Sequence, residues 1–230
     1  MRKLGFELNR ASNGLSQEAT LARIRDKHDF KLGTIIDVGS SDGRWSFKTL
    51  EFFPKARYLL IDGNKVHEPQ LMQFKQKFPN TEFVIAAAGE EVGTIWFDDS
   101  SPLGGLASDK PLSDSYVEVP VTTLDYEIDQ RSLPGPFCIK LDTHGYEVPI
   151  LEGAQHTLAQ TELVIIETYN FKVAPDSLHF TEMIQFMAER GFKVIDMCEP
   201  LFRPADGSFW QIDLYFMRDS RPEFGYHEHD

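Results

Sequence analysis

The stretch that most constrains this chain is Thr34-Ile35-Ile36-Asp37-Val38-Gly39-Ser40-Ser41-Asp42-Gly43-Arg44-Trp45-Ser46. An apolar run closed by an acid, followed by a glycine and a small polar loop, predicts a buried strand turning tightly into a helix. Gly39 and Gly43 provide the turn and permit close backbone approach that a side chain would block. The spacing is G-x-x-x-G, not the G-x-G-x-x-G that cradles a pyrophosphate. A helix N-terminus suits an anion, whereas an acid at the strand end suits a ligand carrying positive charge.

A second apolar strand, Arg57-Tyr58-Leu59-Leu60-Ile61-Asp62, ends in an acid 25 residues after Asp37. In a βαβ unit a carboxylate near this place can bond both hydroxyls of a ribose. Either acid alone reads equally well as a turn or helix cap. Together, in this order and spacing, they point to a nucleoside cofactor with a cationic group. S-adenosylmethionine, with a sulfonium, an ammonium and no phosphate, has that character. The expected cofactor contacts are Asp37, Gly39, Ser40, Asp42, Gly43 and Asp62, with Ala87 beside the adenine.

At 230 residues and 41% hydrophobic, the chain suffices for one well-buried α/β domain. The formal net charge of -13 argues against nucleic acid or an anionic membrane as partner. No apolar run approaches a membrane span and the N-terminus lacks a signal-peptide core, so a cytoplasmic location is the expectation. Cys138 and Cys198 are read as reduced core residues.

Residues 1 to 15 are polar and without a clear period. Ser16 caps a short helix ending near His28, expected on the sheet edge or beside the cofactor, so residues 1–33 read as an N-terminal helical extension. A helix over about 43–52 buries Trp45, Phe47 and Leu50 in part, and another spans about Pro69 to Phe78. Glu82 to Gly89 reads as one strand, its alanines leaving room for a flat ring. Thr94 to Phe97 and Tyr116 to Val121 are strand-like and bracket a polar stretch, so 90–121 reads as a β insertion or lid, with disorder of 98–115 as the competitor. Loops 98–115, 168–178 and 200–209 are expected to shape the acceptor pocket. Thr181 to Arg190 is a helix, and two final strands, Phe192 to Met197 and Gln211 to Met217, form an antiparallel hairpin. The tail over 220–230 carries His227 and His229, read as a solvated end rather than a metal pair.

The second organising stretch is Phe137-Cys138-Ile139-Lys140-Leu141-Asp142-Thr143-His144-Gly145-Tyr146-Glu147. A buried strand ends in a loop with a cation, an acid and an imidazole, and Pro149 belongs to the first turn of the next helix. Open parallel sheets bind ligands at the carboxyl ends of their strands, where Asp37, Asp62, Asp142 and Glu167 all fall.

Here the chain resembles the FkbM-type S-adenosylmethionine-dependent methyltransferases, from about Thr34 to Met217. The resemblance rests on Asp37-Val38-Gly39, on Val119-Pro120-Val121-Thr122-Thr123-Leu124-Asp125, and above all on Ile139 to Glu147 running into Ile150-Leu151-Glu152-Gly153-Ala154. It implies a Rossmann-like, seven-stranded, mostly parallel sheet with an antiparallel last strand, and O-methylation of a sugar, polyketide or similar small molecule. Asp62 stands where the family more often has Glu followed by Pro, and His144 where it usually has Glu.

Methyl transfer to a hydroxyl needs alignment and removal of a proton. An imidazole suits that task at neutral pH. His144 is therefore the expected general base, with Asp142 positioning it or the substrate and Lys140 lowering the energy of the developing alkoxide. The bland alternative is a buried Lys140–Asp142 ion pair beside a partly exposed His144. Glu167 and Tyr169 are the expected acceptor contacts. Asp142, His144 and Glu167 are metal ligands by residue type, as in a metal-assisted O-methyltransferase, but no metal-binding spacing is evident and no metal is assigned. The competing function classes are a non-catalytic S-adenosylmethionine-binding protein and a nicotinamide-dependent oxidoreductase, which the 39–43 loop does not suit.

Overall fold

A computed structural model describes residues 14–102 and 104–225, so His227 and His229 lie outside the described residues. The chain order is α1 (Gln17–His28), β1 (Thr34–Val38), α2 (Arg44–Thr49), β2 (Arg57–Asp62), α3 (Glu68–Lys77), β3 (Thr81–Ile85) and β4 (Ala87–Ala88). It continues through β5 (Gly93–Asp98), β6 (Ala107–Ser108), β7 (Tyr116–Thr122), α4 (Leu124–Arg131), β8 (Phe137–Leu141), α5 (Glu147–Glu152) and α6 (Gln155–Ala159). It closes with β9 (Thr161–Tyr169), α7 (Phe180–Ala188), β10 (Phe192–Phe202) and β11 (Phe209–Arg218).

Seven strands form the main sheet in the order β10-β11-β9-β8-β1-β2-β3. β1, β2, β3, β8 and β9 run parallel, and β11 lies antiparallel between β9 and β10. The expected mostly parallel sheet with an antiparallel last strand is therefore present. Both faces are covered, which is why the parallel strands read as continuous apolar runs. Ile36, Val38, Leu59, Ile61, Ile139 and Ile166 pack on one face with α4 to α7. Ile35, Tyr58, Leu60, Cys138 and Ile165 pack on the other with α1 to α3. Strand alternation puts Asp37, Lys140, Glu167 and Asp213 on this second face.

Ser16 caps α1 by accepting from Ala19 N at 3.2 Å. The helix settles on the sheet edge, where Arg23 pairs with Asp196 at 2.8 Å. Thr123 caps α4 through Tyr126 N at 3.1 Å. Both cysteines are buried and free. Among the described residues no helix is long and apolar enough to cross a membrane.

Two expectations need correction. The run 82–89 is not one strand. β3 ends where its partner β2 ends, at Ile85 opposite Asp62. The chain then breaks at Ala86 and takes a new partner, β4 pairing with β7 in a second sheet ordered β4-β7-β5-β6. Phe47, expected to be partly buried, is 52% exposed, and its ring lies 6.0 Å from Phe78.

The second sheet meets the main domain where Gly153 ends α5. A Cβ there would lie 2.1 Å from Gly89 O, so only glycine permits the approach. Gly153→Ala is expected to destabilise the protein by about 1–3 kcal/mol, the usual cost of overpacking. A urea midpoint unchanged from wild type would show that the two segments are free to separate.

Candidate active site

The carboxyl ends of β1, β2, β8 and β9 open into a cavity of about 300 Å³. Its walls include Asp37, Gly39, Ser40, Asp62, Ala87, Asp142, His144 and Glu167, and Phe97, Pro102, Gly105 and Ala107 from the second sheet cover it. The volume is at the lower end of the range for small-molecule sites.

On one side the cavity has the features of a nucleoside site. Asp62 Oδ2 accepts from Ser41 N at 2.7 Å and Oδ1 from Asn64 N at 2.8 Å. A carboxylate has about four acceptor positions, so each oxygen keeps one for a ribose hydroxyl. Burial raises the pKa of Asp62. Ser40 Oγ and Trp45 Nε1 are buried without a hydrogen-bond partner, and both residues line the cavity. Two orphaned polar groups beside an acid and three small residues, Ala86 to Ala88, fit S-adenosylmethionine. Asp37 is fully buried and accepts from Ser46 Oγ at 2.7 Å. Burial pushes its pKa up to about 6, with Lys140 opposing the rise.

The other side is acidic with one imidazole. Lys140 Nζ lies 3.1 Å from Asp142 Oδ2. Burial disfavours both charges, yet each holds the other: Lys140 stays raised, and Asp142 stays below the usual carboxylate range. Glu167 accepts from Tyr169 Oη and Gln211 Nε2. Burial first, and the Asp142 charge second, push Glu167 up to about 8. His144 Nδ1 lies 3.3 Å from Gly105 O. A carbonyl only accepts, so Nδ1 carries the proton and Nε2 is bare in the neutral ring. The loop is held by Glu147, which is buried and accepts from Gly145 N at 2.9 Å and Thr143 Oγ1 at 3.1 Å.

Four expected contacts sit elsewhere. Asp42 turns to Arg44, with Nε at 2.9 Å. Gly43 starts α2 at φ 82, and a Cβ there would meet Phe74 at 2.9 Å, so it serves helix packing. Lys140 lies beneath Asp142 and does not line the cavity, which removes it from direct contact with an alkoxide. Tyr169 is 5% exposed and does not line the cavity; it hydrogen-bonds Glu167, and its ring lies 6.4 Å from that of His144. Gly39 does line the cavity, but its φ of 74 and the 2.0 Å approach of its would-be Cβ to Asp142 O show that the neighbouring loop demands glycine there.

Sequence reasoning missed Asn64, His67 and Phe97. His67 Nε2 donates to Pro102 O at 2.7 Å, fastening the cover to the loop after β2. Its place five residues after Asp62 was a usable signal. The cover was signalled as an insertion over 90–121, but which of its residues face the cavity is not encoded locally.

Comparison with known proteins agrees with this geometry. The model of the methyltransferase FkbM domain matches residues 37–194. No curated protein sequence matches significantly. A crystal structure of an FkbM methyltransferase from Methylobacillus flagellatus KT is similar with TM-score 0.55 at 12% identity, over 88% of this chain and 49% of that one. This chain thus spans about half the length of that relative. A putative O-methyltransferase from Klebsiella pneumoniae gives TM-score 0.50 at 12% identity, over 88% and 78%. The 1,6-didemethyltoxoflavin-N1-methyltransferase of Burkholderia thailandensis, with S-adenosylhomocysteine bound, gives 0.48 at 14% identity, over 87% and 77%. The matched segment runs from Asp37 through the whole Asp142–Glu147 loop to Val194, and on that match the chain belongs to the FkbM methyltransferase domain family, whose cofactor is S-adenosylmethionine.

Proposed function

We propose that the protein methylates a hydroxyl group of a small molecule such as a sugar or polyketide. The observation that carries this reading is the placement of His144, whose Nδ1 lies 3.3 Å from Gly105 O and whose Nε2 faces the carboxyl groups of Asp142 and Glu167 at the cavity's end. A hydroxyl must lose its proton as it is alkylated, and this cluster is built to receive one.

S-adenosylmethionine supplies a methyl group on a sulfonium sulfur. The acceptor oxygen forms the new C–O bond as the C–S bond breaks, the electron pair returns to sulfur, and the hydroxyl proton passes to the cluster. There His144 Nε2 and the ionised Asp142 are the accepting groups. Asp37 and Asp62 orient the donor. Lys140 is a positioning residue: it keeps Asp142 ionised from below. Residues 90–121 act as a lid that excludes water, tied down through His67 and His144. In this reading the whole chain is a single methyltransferase domain with an N-terminal extension over 1–33 and a tail over 220–230.

Calorimetric titration with S-adenosylhomocysteine is expected to give micromolar binding, with no response to NAD. Asp62→Ala should weaken that binding about 10- to 100-fold, the loss of hydrogen bonds to a charged group. Binding of NAD instead would sink the reading. Against a panel of hydroxylated acceptors with labelled methyl donor, His144→Ala should lower kcat about 10²- to 10⁴-fold at unchanged S-adenosylhomocysteine affinity. Full turnover in that variant would exclude His144 from the chemistry.

The raised carboxyl of Glu167 also fixes a sign. Between its unfolded value of 4.5 and about 8, the folded state holds a proton that the unfolded state has lost, so this residue's contribution to stability falls as pH rises. In chelator-treated protein, the stability of Glu167→Gln relative to wild type should grow from pH 5 to pH 8 and then level off. A difference independent of pH would mean that Glu167 titrates normally.

A further inference from the structure

Asp142, His144 and Glu167 share no sequence spacing, yet one ligand atom from each lies within 4.8 Å of the others. His144 Nε2 is 3.9 Å from Asp142 Oδ1 and 3.9 Å from Glu167 Oε2. These separations are too long for hydrogen bonds. They are the span across which a cation joins a nitrogen to two carboxylates.

The surrounding groups hold the three side chains in place. Lys140 Nζ occupies Asp142 Oδ2, leaving Oδ1 to face the ring. Gly105 O takes the Nδ1 proton of His144, which fixes the tautomer a metal-bound imidazole requires. Tyr169 and Gln211 orient Glu167. Charge points the same way. Lys140 is the cation that acts on Asp37, Asp142, Glu167 and Asp213 together. Of these four groups, only Asp142 lies within ion-pair distance of Lys140. All three residues line the cavity or its end.

We propose that Asp142, His144 and Glu167 bind a divalent cation of the Mg²⁺/Mn²⁺ class, with open positions toward the acceptor hydroxyl. Two carboxylates and one imidazole form a predominantly hard ligand set, which Mn²⁺ accepts readily. The inference rests on the reading that the acceptor oxygen reacts at this end of the cavity. The bonds made and broken are those already given. With Nε2 engaged as a ligand, the hydroxyl proton goes to a carboxylate oxygen, and the cation's charge lies beside the oxygen being alkylated.

The test is titration of Mn²⁺ into the chelator-stripped full chain, saturated with S-adenosylhomocysteine, followed by calorimetry and by electron paramagnetic resonance. One saturable site per chain is expected. Glu167→Gln and His144→Ala should each weaken it by at least about tenfold, and Mn²⁺ should raise the unfolding temperature of wild type but of neither variant. Circular dichroism checks that both variants fold; should one fail, Asp142→Asn replaces it. A wild-type chain that binds S-adenosylhomocysteine but no Mn²⁺, or equal Mn²⁺ binding by wild type and variants, overturns the proposal. Undiminished methylation of a hydroxyl in chelator also overturns it while sparing the proposed function. Site-specific Mn²⁺ binding without methylation of any hydroxylated acceptor leaves the metal site standing and removes the O-methyl reading.

Discussion

The site depends on one buried ammonium. Lys140 sits in the middle strand of a parallel sheet, 1% exposed, where a charge survives only if it is paired. Its partner lies two residues on, past the strand end, so the pairing draws Asp142 back over β8. That pull is reinforced from the side. Asp142 N donates to Val38 O at 3.0 Å, and Gly39 has no Cβ to obstruct the contact. The β1 and β8 loops are in this way locked together before any ligand enters. With Asp37 opposite Lys140 in register, cofactor side and acceptor side share one electrostatic centre.

The same lysine explains the uneven ionisation around it. Asp142, in direct contact, keeps its charge, while Glu167 and Asp37 are close enough to feel Lys140 but not to be neutralised by it. Carboxyl groups around one ammonium are thus shifted in opposite directions. Differences of this kind mark places where protons are handled.

Much of this was legible because it is local. Five-residue apolar runs ending in an acid identify buried strands and their site ends, which is how Asp37, Asp62 and Asp142 could be placed without coordinates. Ser16 as a cap and the closing hairpin are equally local. The failures share a cause. Asp42 and Gly43 sit in the right loop, but whether a loop residue faces a ligand, a neighbouring arginine or a phenylalanine from the next helix depends on contacts far away in sequence. Lys140 reads either as catalytic or as half of a buried ion pair with Asp142, and the structure shows the pair. The break at Ala86 follows from where β2 runs out, a fact about the partner strand. His67 was within reach, since it follows Asp62 in the same strand-end loop, but its partner Pro102 was not.

The cover over the cavity comes from one continuous excursion between β3 and α4, which also carries Ala87 and Ala88 of the cavity wall, whereas Asp37, Ser40 and Asp62 come from the ends of β1 and β2 and the loops after them. The strand-end acids and the cover are therefore written in separate stretches of chain, joined by contacts such as His67 with Pro102 and His144 with Gly105. Sequence change over 104–106 alters the space above His144, while Ser101 and Pro102 are tied through Asn64 and His67 to the loop beside Asp62. This arrangement lets one methyl-donating scaffold be redirected to new acceptors by drift in a single segment, provided that a backbone carbonyl is still delivered to the imidazole.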